Sequence, residues 1–575
     1  MLTPWVRRTG AALLLLQACG RQAEPVPDAT PAAWGAAHHA TVATAPAAMV
    51  VSAAPLATRA GVAVLKSGGN AIDASVAVAF ALAVVYPTAG NLGGGGFIVA
   101  RMGQQSAALD FREVAPGAAA RDMFLDAAGN VTESSLTGAL AAGVPGTVAG
   151  LWAAHAKYGT KPWAELLQPA IALADSGFAA DSAFIEDLQW EQKRLQRFAA
   201  SSALFVPHGA PIAHGAVWKN RDLARTLRRI ATQGRDGFYT GTTAGLVVAE
   251  MKRSGGVISR ADLKGYQPLW REPVQFSYRG HQVLSMPPAS SGGLTIALMA
   301  NILGGFDLGA MGWHSAEAIH HIAAAEALAF ARRNTLLADP AFVDVPTAAF
   351  LSLDTAAALR ATIATVSAGA SAPSAAAKGR HTTHFGVVDA QGNAVAMTTT
   401  LNGGYGSAVT VTGAGFLLNN EMDDFTTKVG VINAMGLRQG EANAIQPGKR
   451  MLSSMTPTIV LDAAGAPMLV TGASGGGRII TAVAQVLVNV LDFKLPLGES
   501  MSLPRFHAQD FPDSLLLERG GFSETLVAAL AAKGHHPAIT TPWEYDFGWA
   551  QSILRTNGAW QGVSEPRGHG LALGY

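Results

Sequence analysis

The chain has little that would support a disulfide, a nucleic-acid partner or a membrane span. One of its 575 residues is a cysteine, so no disulfide can form within the chain. Charged residues make up 14% of the sequence and the net charge is +1, which argues against nucleic acid, since that partner requires a basic face. Hydrophobic residues make up 49%, which is enough for a large core rather than for disorder.

The N-terminus has the pattern of a secretory signal. Two arginines precede the apolar run Ala11–Leu16, which is far too short for a bilayer span of about 20 residues. The run ends in Leu-Gln-Ala-Cys, which resembles the signal of bacterial lipoproteins, in which the cysteine is lipidated. We therefore expect a lipoprotein signal peptide over 1–18, a tether over 19–46, and a periplasmic protein anchored to a bacterial membrane through a lipid on Cys19. Ordinary signal cleavage without a lipid is the alternative.

A junction near residue 381 is the most informative stretch of the sequence. Residues 366–380 are small and polar without periodicity, which predicts a loop that cannot bury itself. A β-rich run starts directly afterwards and continues through Ala394–Leu401. Cleavage between His381 and Thr382 would free the Thr382 α-amine, with an unperturbed pKa of about 7.7–8.0, as a base for its own hydroxyl. Taken alone, a threonine at a strand start more often reflects β-propensity.

A series of segments occurs in order over about residues 40–575. It includes NLGGGGFIVA, LDFREVAPG, TTHFGVVDAQGNAVAMTTTLN, LLNNEMDDF (417–425), PGKRMLSSMTPTIV (447–460), TGASGGGRII (471–480) and the closing GVSEPRGHGLALGY. Together these segments resemble the γ-glutamyltranspeptidase family of N-terminal nucleophile hydrolases. The resemblance implies self-cleavage between His381 and Thr382. It also implies a large subunit over 47–381 and a small catalytic subunit over 382–575, both from one precursor.

The resemblance further implies the residues of the site. The catalytic groups would be the nucleophile, its hydrogen-bonding partner and two backbone donors to the oxyanion: Thr382, Thr400, Gly475 and Gly476. The α-carboxylate of the substrate would be bound by one guanidinium and two hydroxyls, and its α-ammonium by an amide and two carboxylates: Arg112, Ser453, Ser454, Asn402, Glu421 and Asp424. Each of these residues has an ordinary structural interpretation when it is considered alone.

The pattern of apolar segments predicts a layered α+β fold. Helical patterns cover Leu56–Leu65, Ala71–Val85 and Ile479–Leu491, and strand patterns cover Phe97–Arg101 and much of 381–473. Two β-rich runs flanked by helices on both sides favour a four-layer αββα sandwich, the N-terminal nucleophile hydrolase fold that the resemblance implies.

The segment 425–450 has the length of the lid that covers the site in some members of the family. An aromatic gate is common where this chain has Met435. Because methionine is flexible and has no hydroxyl, we expect a lid that closes loosely.

These observations predict a self-cleaving γ-glutamyltransferase and glutathione hydrolase. Thr382 would carry the γ-glutamyl group from a substrate such as glutathione to water or to an amino-acid or peptide acceptor. No organic cofactor or metal is expected. One alternative is a glutaryl or cephalosporin acylase of the same superfamily, which would gain nothing from Glu421 and Asp424. Another is a non-catalytic, ligand-binding lipoprotein, which would stay uncut.

Overall fold

The computed structural model describes Met1 and residues 30–363, 381–540 and 547–575. The predicted lipidation site Cys19 and the predicted loop 366–380 lie outside the described residues. Within the described ranges, no helix is long and apolar enough to cross a membrane.

The strands are numbered in the order in which they occur along the chain. They are β1 (Val42–Ala45), β2 (Met49–Ser52), β3 (Gly95–Met102), β4 (Gln105–Asp110), β5 (Phe178–Ala179), β6 (Val217–Trp218), β7 (Leu269–Arg271), β8 (Val274–Tyr278), β9 (His281–Ser285), β10 (Thr383–Val388), β11 (Ala394–Thr400), β12 (Thr458–Leu461), β13 (Pro467–Ala473), β14 (Phe506–His507), β15 (Leu515–Leu517), β16 (Pro537–Ile539), β17 (Ala550–Thr556), β18 (Ala559–Ser564) and β19 (Leu571–Gly574).

The helices are numbered in the same way. They are α1 (Ala32–Ala37), α2 (Pro55–Lys66), α3 (Ala71–Val85), α4 (Thr147–Tyr158), α5 (Trp163–Ser176), α6 (Ser182–Leu195), α7 (Ala199–Phe205), α8 (Arg221–Gln233), α9 (Asp236–Tyr239), α10 (Gly241–Ser254), α11 (Arg260–Gly265), α12 (Gly292–Leu303), α13 (Leu308–Met311), α14 (Ala316–Leu336), α15 (Thr347–Leu351), α16 (Leu353–Arg360), α17 (Arg478–Leu491), α18 (Leu497–Ser502) and α19 (Glu524–Ala532).

Two large antiparallel sheets form the centre of the molecule. The first has the strand order β19-β2-β10-β11-β3-β4-β7, and the second has the order β1-β18-β17-β13-β12-β9-β8. Each sheet combines strands that precede His381 with strands that follow it: β10, for example, pairs with β2 along Phe385↔Ser52. A cut beside His381 would therefore leave two fragments that share both sheets.

Side chains of β10 alternate between two environments, as expected of a strand buried on both faces. Phe385 and Val387 pack into the core between the first sheet and helices α2 and α3. Gly386 faces the second sheet, where an added Cβ would lie 3.3 Å from Ile553. His384 is buried on that same face, and burial lowers its pKa to about 3, so its ring is neutral beside Thr398.

Helices α12 and α17 cover one face of the second sheet, where they pack against β8, β9 and β13. Strands β10 and β11 of the first sheet contact β13 of the second sheet. The order of layers is thus helices, sheet, sheet, helices. This confirms the predicted four-layer αββα sandwich.

Most predicted elements are present, but one predicted strand region is wrong. Helix α3 has the predicted bounds, and all of its residues are buried. By contrast, the apolar runs at 407–413 and 415–420 form a loop with a single bridge, Thr410↔Leu417. Gly413 and Gly415 adopt positive φ of 76° and 79°, which turns the chain back on itself and prevents a strand.

Candidate active site

A small, partly open cavity lies beside the start of β10. Its volume is about 20 Å³, room for about one water molecule. Most of the predicted site residues line it, together with three apolar side chains: Arg112, Thr382, Thr400, Asn402, Glu421, Asp424, Met435, Ser453, Ser454 and Gly476, with Leu437, Met455 and Ile479. The structure therefore brings together side chains that are spread over more than 300 residues of sequence.

The Thr382 hydroxyl is held by a short chain of hydrogen bonds. Its Oγ1 lies 2.9 Å from the Thr400 Oγ1, and that oxygen accepts a 2.8 Å hydrogen bond from the Asn402 backbone N–H. Thr382 is 6% exposed and has a φ of 65°, which is unusual for a β-branched residue. Such backbone geometry costs on the order of 1–3 kcal/mol and is often found at functional sites.

Close backbone packing around Thr400 explains the glycine-rich segment before β3. A Cβ at Gly94 would lie 2.1 Å from the Thr400 carbonyl oxygen, so only glycine fits there. The Gly94 N–H is bonded to the side chain of Asn91, which also donates to the Thr400 carbonyl. This segment thus fixes the end of β11 and with it the Thr400 hydroxyl.

Gly475 and Gly476 form the turn between β13 and α17. Their φ angles are 124° and 56°, a combination that favours glycine. The turn directly precedes the N-terminus of α17, whose positive end favours a developing negative charge. Gly476 lines the cavity, and Gly475 is not among the lining residues.

Arg112 is fully buried among acidic groups. One of its terminal nitrogens is paired with Glu421 and the other with Asp424, and Glu113 lies 3.6 Å from the first. The sequence analysis did not predict a role for Glu113. The signal that could have indicated one was its position next to Arg112. Instead of the surface ion pair that an Asp-Phe-Arg-Glu segment usually forms, the structure has a buried cluster.

The cluster holds three carboxyl groups around one guanidinium. Burial raises the pKa of Glu113 to about 7 and raises the pKa of Glu421 well above its ordinary value, while Arg112 opposes both changes. Burial likewise raises the pKa of Asp424 against the effect of Arg112. A further cation bound beside these carboxyl groups would favour their ionised forms and lower their pKa values.

The serine pair also lines the cavity and is supported by a second buried arginine. Arg333 Nη2 donates to the Ser454 Oγ at 3.0 Å, and its Nε donates to Ser291 at 3.0 Å. The Ser453 Oγ accepts from the Met455 backbone N–H at 3.1 Å.

A tight hairpin over Ile432–Arg438, here called the lid hairpin, forms part of the cavity wall through Met435 and Leu437. Ile432 and Arg438 form a bridge, and the Asn433 Oδ1 accepts from the backbone N–H groups of Met435 and Leu437. Met435 is at its tip, and a Cβ at Gly476 would lie 3.0 Å from the Met435 sulfur. The residue predicted to gate the site therefore lies against the turn that would bind the oxyanion.

Within the described ranges, no group of three or more His, Cys, Asp or Glu side chains could hold a metal ion. His381, the residue before the predicted cut, is 3% exposed.

Comparison with known proteins finds extensive similarity. A model of the gamma-glutamyltranspeptidase family matches residues 57–575. The chain is 46% identical over 541 residues to a glutathione hydrolase proenzyme of Pseudomonas sp. strain A14, covering 92% of this chain and 94% of that protein. It is 43% identical over 587 residues to the glutathione hydrolase proenzyme of Escherichia coli K12, covering 100% of both. The cephalosporin acylase of Bacillus halodurans has a similar fold, with a TM-score of 0.82 and 26% identity over 96% of this chain and 98% of that chain.

Proposed function

Because the chain belongs to the γ-glutamyltranspeptidase family, we propose that it is a self-cleaving glutathione hydrolase and γ-glutamyltransferase. Its substrates are γ-glutamyl amides such as glutathione, and its acceptors are water and the amines of amino acids or peptides. The large subunit extends over 47–381 and the small catalytic subunit over 382–575.

The observation that carries this proposal is the acidic cluster around Arg112 beside the Thr382 hydroxyl. An α-amino acid carries its carboxylate and its ammonium on one carbon, so a site for it needs a cation and carboxylates next to each other. Arg112 is in direct contact with Glu421 and Asp424. A bound glutamyl group would insert its carboxylate at Arg112 and its ammonium at the two carboxyl groups, and that ammonium would favour their ionised forms.

Maturation begins when the Thr382 Oγ1 attacks the carbonyl carbon of His381. The bond to the Thr382 nitrogen breaks and that nitrogen takes up a proton, leaving an ester between His381 and the Thr382 oxygen. Water hydrolyses this ester, which frees the α-amine of Thr382. The new amine then serves as a base for the same hydroxyl.

In turnover, the Thr382 Oγ1 loses its proton to the α-amine and attacks the γ-carbonyl of the substrate. The backbone N–H groups of Gly475 and Gly476 stabilise the oxyanion, a contribution of about 3–4 kcal/mol for each donor in comparable enzymes. The leaving amine takes the proton, and an acyl ester remains on Thr382. Water or an acceptor amine attacks this ester and restores the hydroxyl.

The acylase alternative predicts a different substrate preference from the same fold. A glutaryl or cephalosporin side chain lacks the α-ammonium, so it would leave Glu421 and Asp424 without a cation other than Arg112. Such buried, unsatisfied charge is unfavourable. The acidic cluster therefore favours γ-glutamyl substrates.

One experiment tests cleavage and substrate class together. The purified protein is separated on a denaturing gel, its fragments are sequenced from their N-termini, and release of a chromogenic amine is measured from γ-glutamyl and glutaryl amides. We expect a fragment of 575 − 381 = 194 residues that starts Thr-Thr-His-Phe, and preference for the γ-glutamyl amide. An active but uncut chain, or preference for the glutaryl amide, would contradict the proposal.

Met435→Tyr is expected to raise the ratio of transfer to hydrolysis. A flexible thioether at the tip of the lid hairpin lets water reach the acyl-enzyme, whereas tyrosine is more rigid and can donate a hydrogen bond. The ratio is measured with a dipeptide acceptor. An unchanged ratio in a variant that cleaves normally and keeps its kcat would show that Met435 is not the gate.

We also propose that the protein is exported and anchored through a lipid on Cys19. Cys19→Ser is expected to abolish labelling by a fatty-acid probe and to release the enzyme from membranes into the soluble fraction. If the unaltered protein is already soluble and unlabelled, the lipid anchor is wrong, and export is then tested separately by cell fractionation.

A further inference from the structure

The candidate cavity has room for about one water molecule, so part of its wall must move before a γ-glutamyl group can enter. Met435 and Leu437 of the lid hairpin form part of that wall. Groups that hold the hairpin in this closed position therefore influence when the acyl-enzyme is exposed. The contacts that the hairpin makes with the loop after β14 show which group does so.

Gln509 is the buried side chain that joins the hairpin to the loop after β14. Its Nε2 donates to the Gly436 carbonyl at 2.8 Å and to the Phe511 carbonyl at 2.7 Å. Because both partners are carbonyl oxygens, the amide nitrogen must face them, and the amide cannot be flipped. Gly436 directly follows Met435, so this hydrogen bond acts one residue from the tip.

The same side chain also lies close to the turn before α17. Its Oε1 would lie 3.7 Å from a Cβ at Gly477, and it is 3.1 Å from the His507 Nε2. Since the Gln509 oxygen can only accept, the His507 Nε2 carries the hydrogen. The other ring nitrogen is 3.0 Å from the Thr481 Oγ1, on the first turns of α17. Gln509 thus links the lid hairpin to the helix that follows the predicted oxyanion turn.

A second contact, at the last residue of the hairpin, is weaker and more exposed. The Arg438 guanidinium lies 3.9 Å from the centre of the Phe511 ring, within range of a cation–π interaction. The Arg438 side chain is 39% exposed, whereas Gln509 is 8% exposed. The buried amide is therefore the stronger of these two contacts with the loop after β14.

We propose that Gln509 is a positioning residue for the reaction, which fixes the lid hairpin against the turn before α17 by its hydrogen bond to the Gly436 carbonyl. Opening the site breaks this bond, and closing the site restores it. Met435 then covers the acyl-enzyme while Gln509 sets how long it remains covered. The kinetic part of this inference rests on the proposed function, but the structural part does not.

Two substitutions test the role of Gln509. Gln509→Glu keeps the acceptor for His507 and replaces the donor by a carboxylate that faces two carbonyl oxygens. Gln509→Met keeps the length of the side chain and adds no charge. Backbone hydrogen exchange is measured by mass spectrometry on the mature protein. We expect exchange over 432–438 to become about tenfold faster in both variants, as expected for loss of one buried hydrogen bond, with exchange in α12 unchanged.

Gln196→Glu is the matched control. Gln196 also donates to a backbone carbonyl, that of Gly209 at 3.1 Å, but lies after α6 and outside the lid. It should leave exchange over 432–438 at the level of the unaltered protein. The kinetic readout is the ratio of hydrolysis to transfer, which we expect to rise in both Gln509 variants and not in the control.

Exchange over 432–438 that stays unchanged in both variants would overturn the inference, whatever the enzyme's activity. Faster exchange in α12 as well would also overturn it, because Gln509 would then only support the fold. If exchange changes as expected but no γ-glutamyl substrate is turned over, the role in holding the hairpin stands and the proposed function fails.

Discussion

Thr382→Ala is expected to remain a single uncut chain and to lose its activity. Without the hydroxyl there is no atom to attack the His381 carbonyl, and without cleavage there is no α-amine to act as base. Removal of the nucleophile from a comparable enzyme lowers kcat by a factor on the order of 10⁶. A denaturing gel measures the first effect, and release of amine from a γ-glutamyl amide measures the second.

The structure also predicts how Thr382→Ser and Thr383→Val differ. Serine keeps the hydroxyl that lies beside Thr400, so slow cleavage is expected, with the small fragment starting Ser-Thr-His-Phe. Thr383→Val preserves the shape of the next side chain in β10 and leaves the 2.9 Å contact between Thr382 and Thr400 untouched. It is therefore the matched control and should cleave normally.

Two outcomes would contradict this assignment. One is a Thr382→Ala chain that still divides beside His381, because the hydroxyl would then not be the cleaving group. The other is loss of cleavage in Thr383→Val to the same extent as in Thr382→Ala, since the effect would then come from disturbance of β10 as a whole.

The sequence was sufficient for elements whose signal is local. Helix α3 begins at a capping box of Asn70 and Asp73, and its apolar residues continue all round, which predicts a helix buried between layers. The runs 407–413 and 415–420 are rich in residues that favour strands, yet they form a loop. The positive φ at Gly413 and Gly415 prevents strand formation there, and no local pattern of apolar residues reveals that backbone conformation.

In the candidate site, likewise, individual groups could be predicted from the sequence but the contacts between them could not. The resemblance gave Arg112, Glu421 and Asp424 as separate groups for opposite charges of the substrate, and the structure has them in direct contact. Contacts between segments that are distant in sequence, such as Arg333 with Ser454 and Gln509 with Gly436, leave no periodic or compositional signal. Such residues emerge only when tertiary packing brings the segments together.

Asp424→Asn is expected to lower kcat/KM for γ-glutamyl amides by about 10²–10³-fold, the range for removal of one partner of a buried charge pair. The change keeps the shape of the side chain but removes the negative charge that would pair with the substrate ammonium. A glutaryl amide has no ammonium and should be affected by a few-fold at most. The comparison of the two substrates therefore separates recognition of the amine from general damage.

Asp423→Asn provides the matched control because the two neighbouring carboxylates point to different sides. The Asp424 carboxylate faces Arg112 in the cavity, whereas Asp423 accepts from Ser135 at 2.9 Å and from the Ala434 backbone N–H at 3.0 Å. Burial raises the pKa of Asp423 to about 6 and thus disfavours its charged form, so the energetic cost of Asp423→Asn comes from the loss of an accepted hydrogen bond. That cost should fall equally on both substrates, because Asp423 does not line the cavity. Equal losses on both substrates in Asp424→Asn would instead show that Asp424 supports the fold and does not bind the amine.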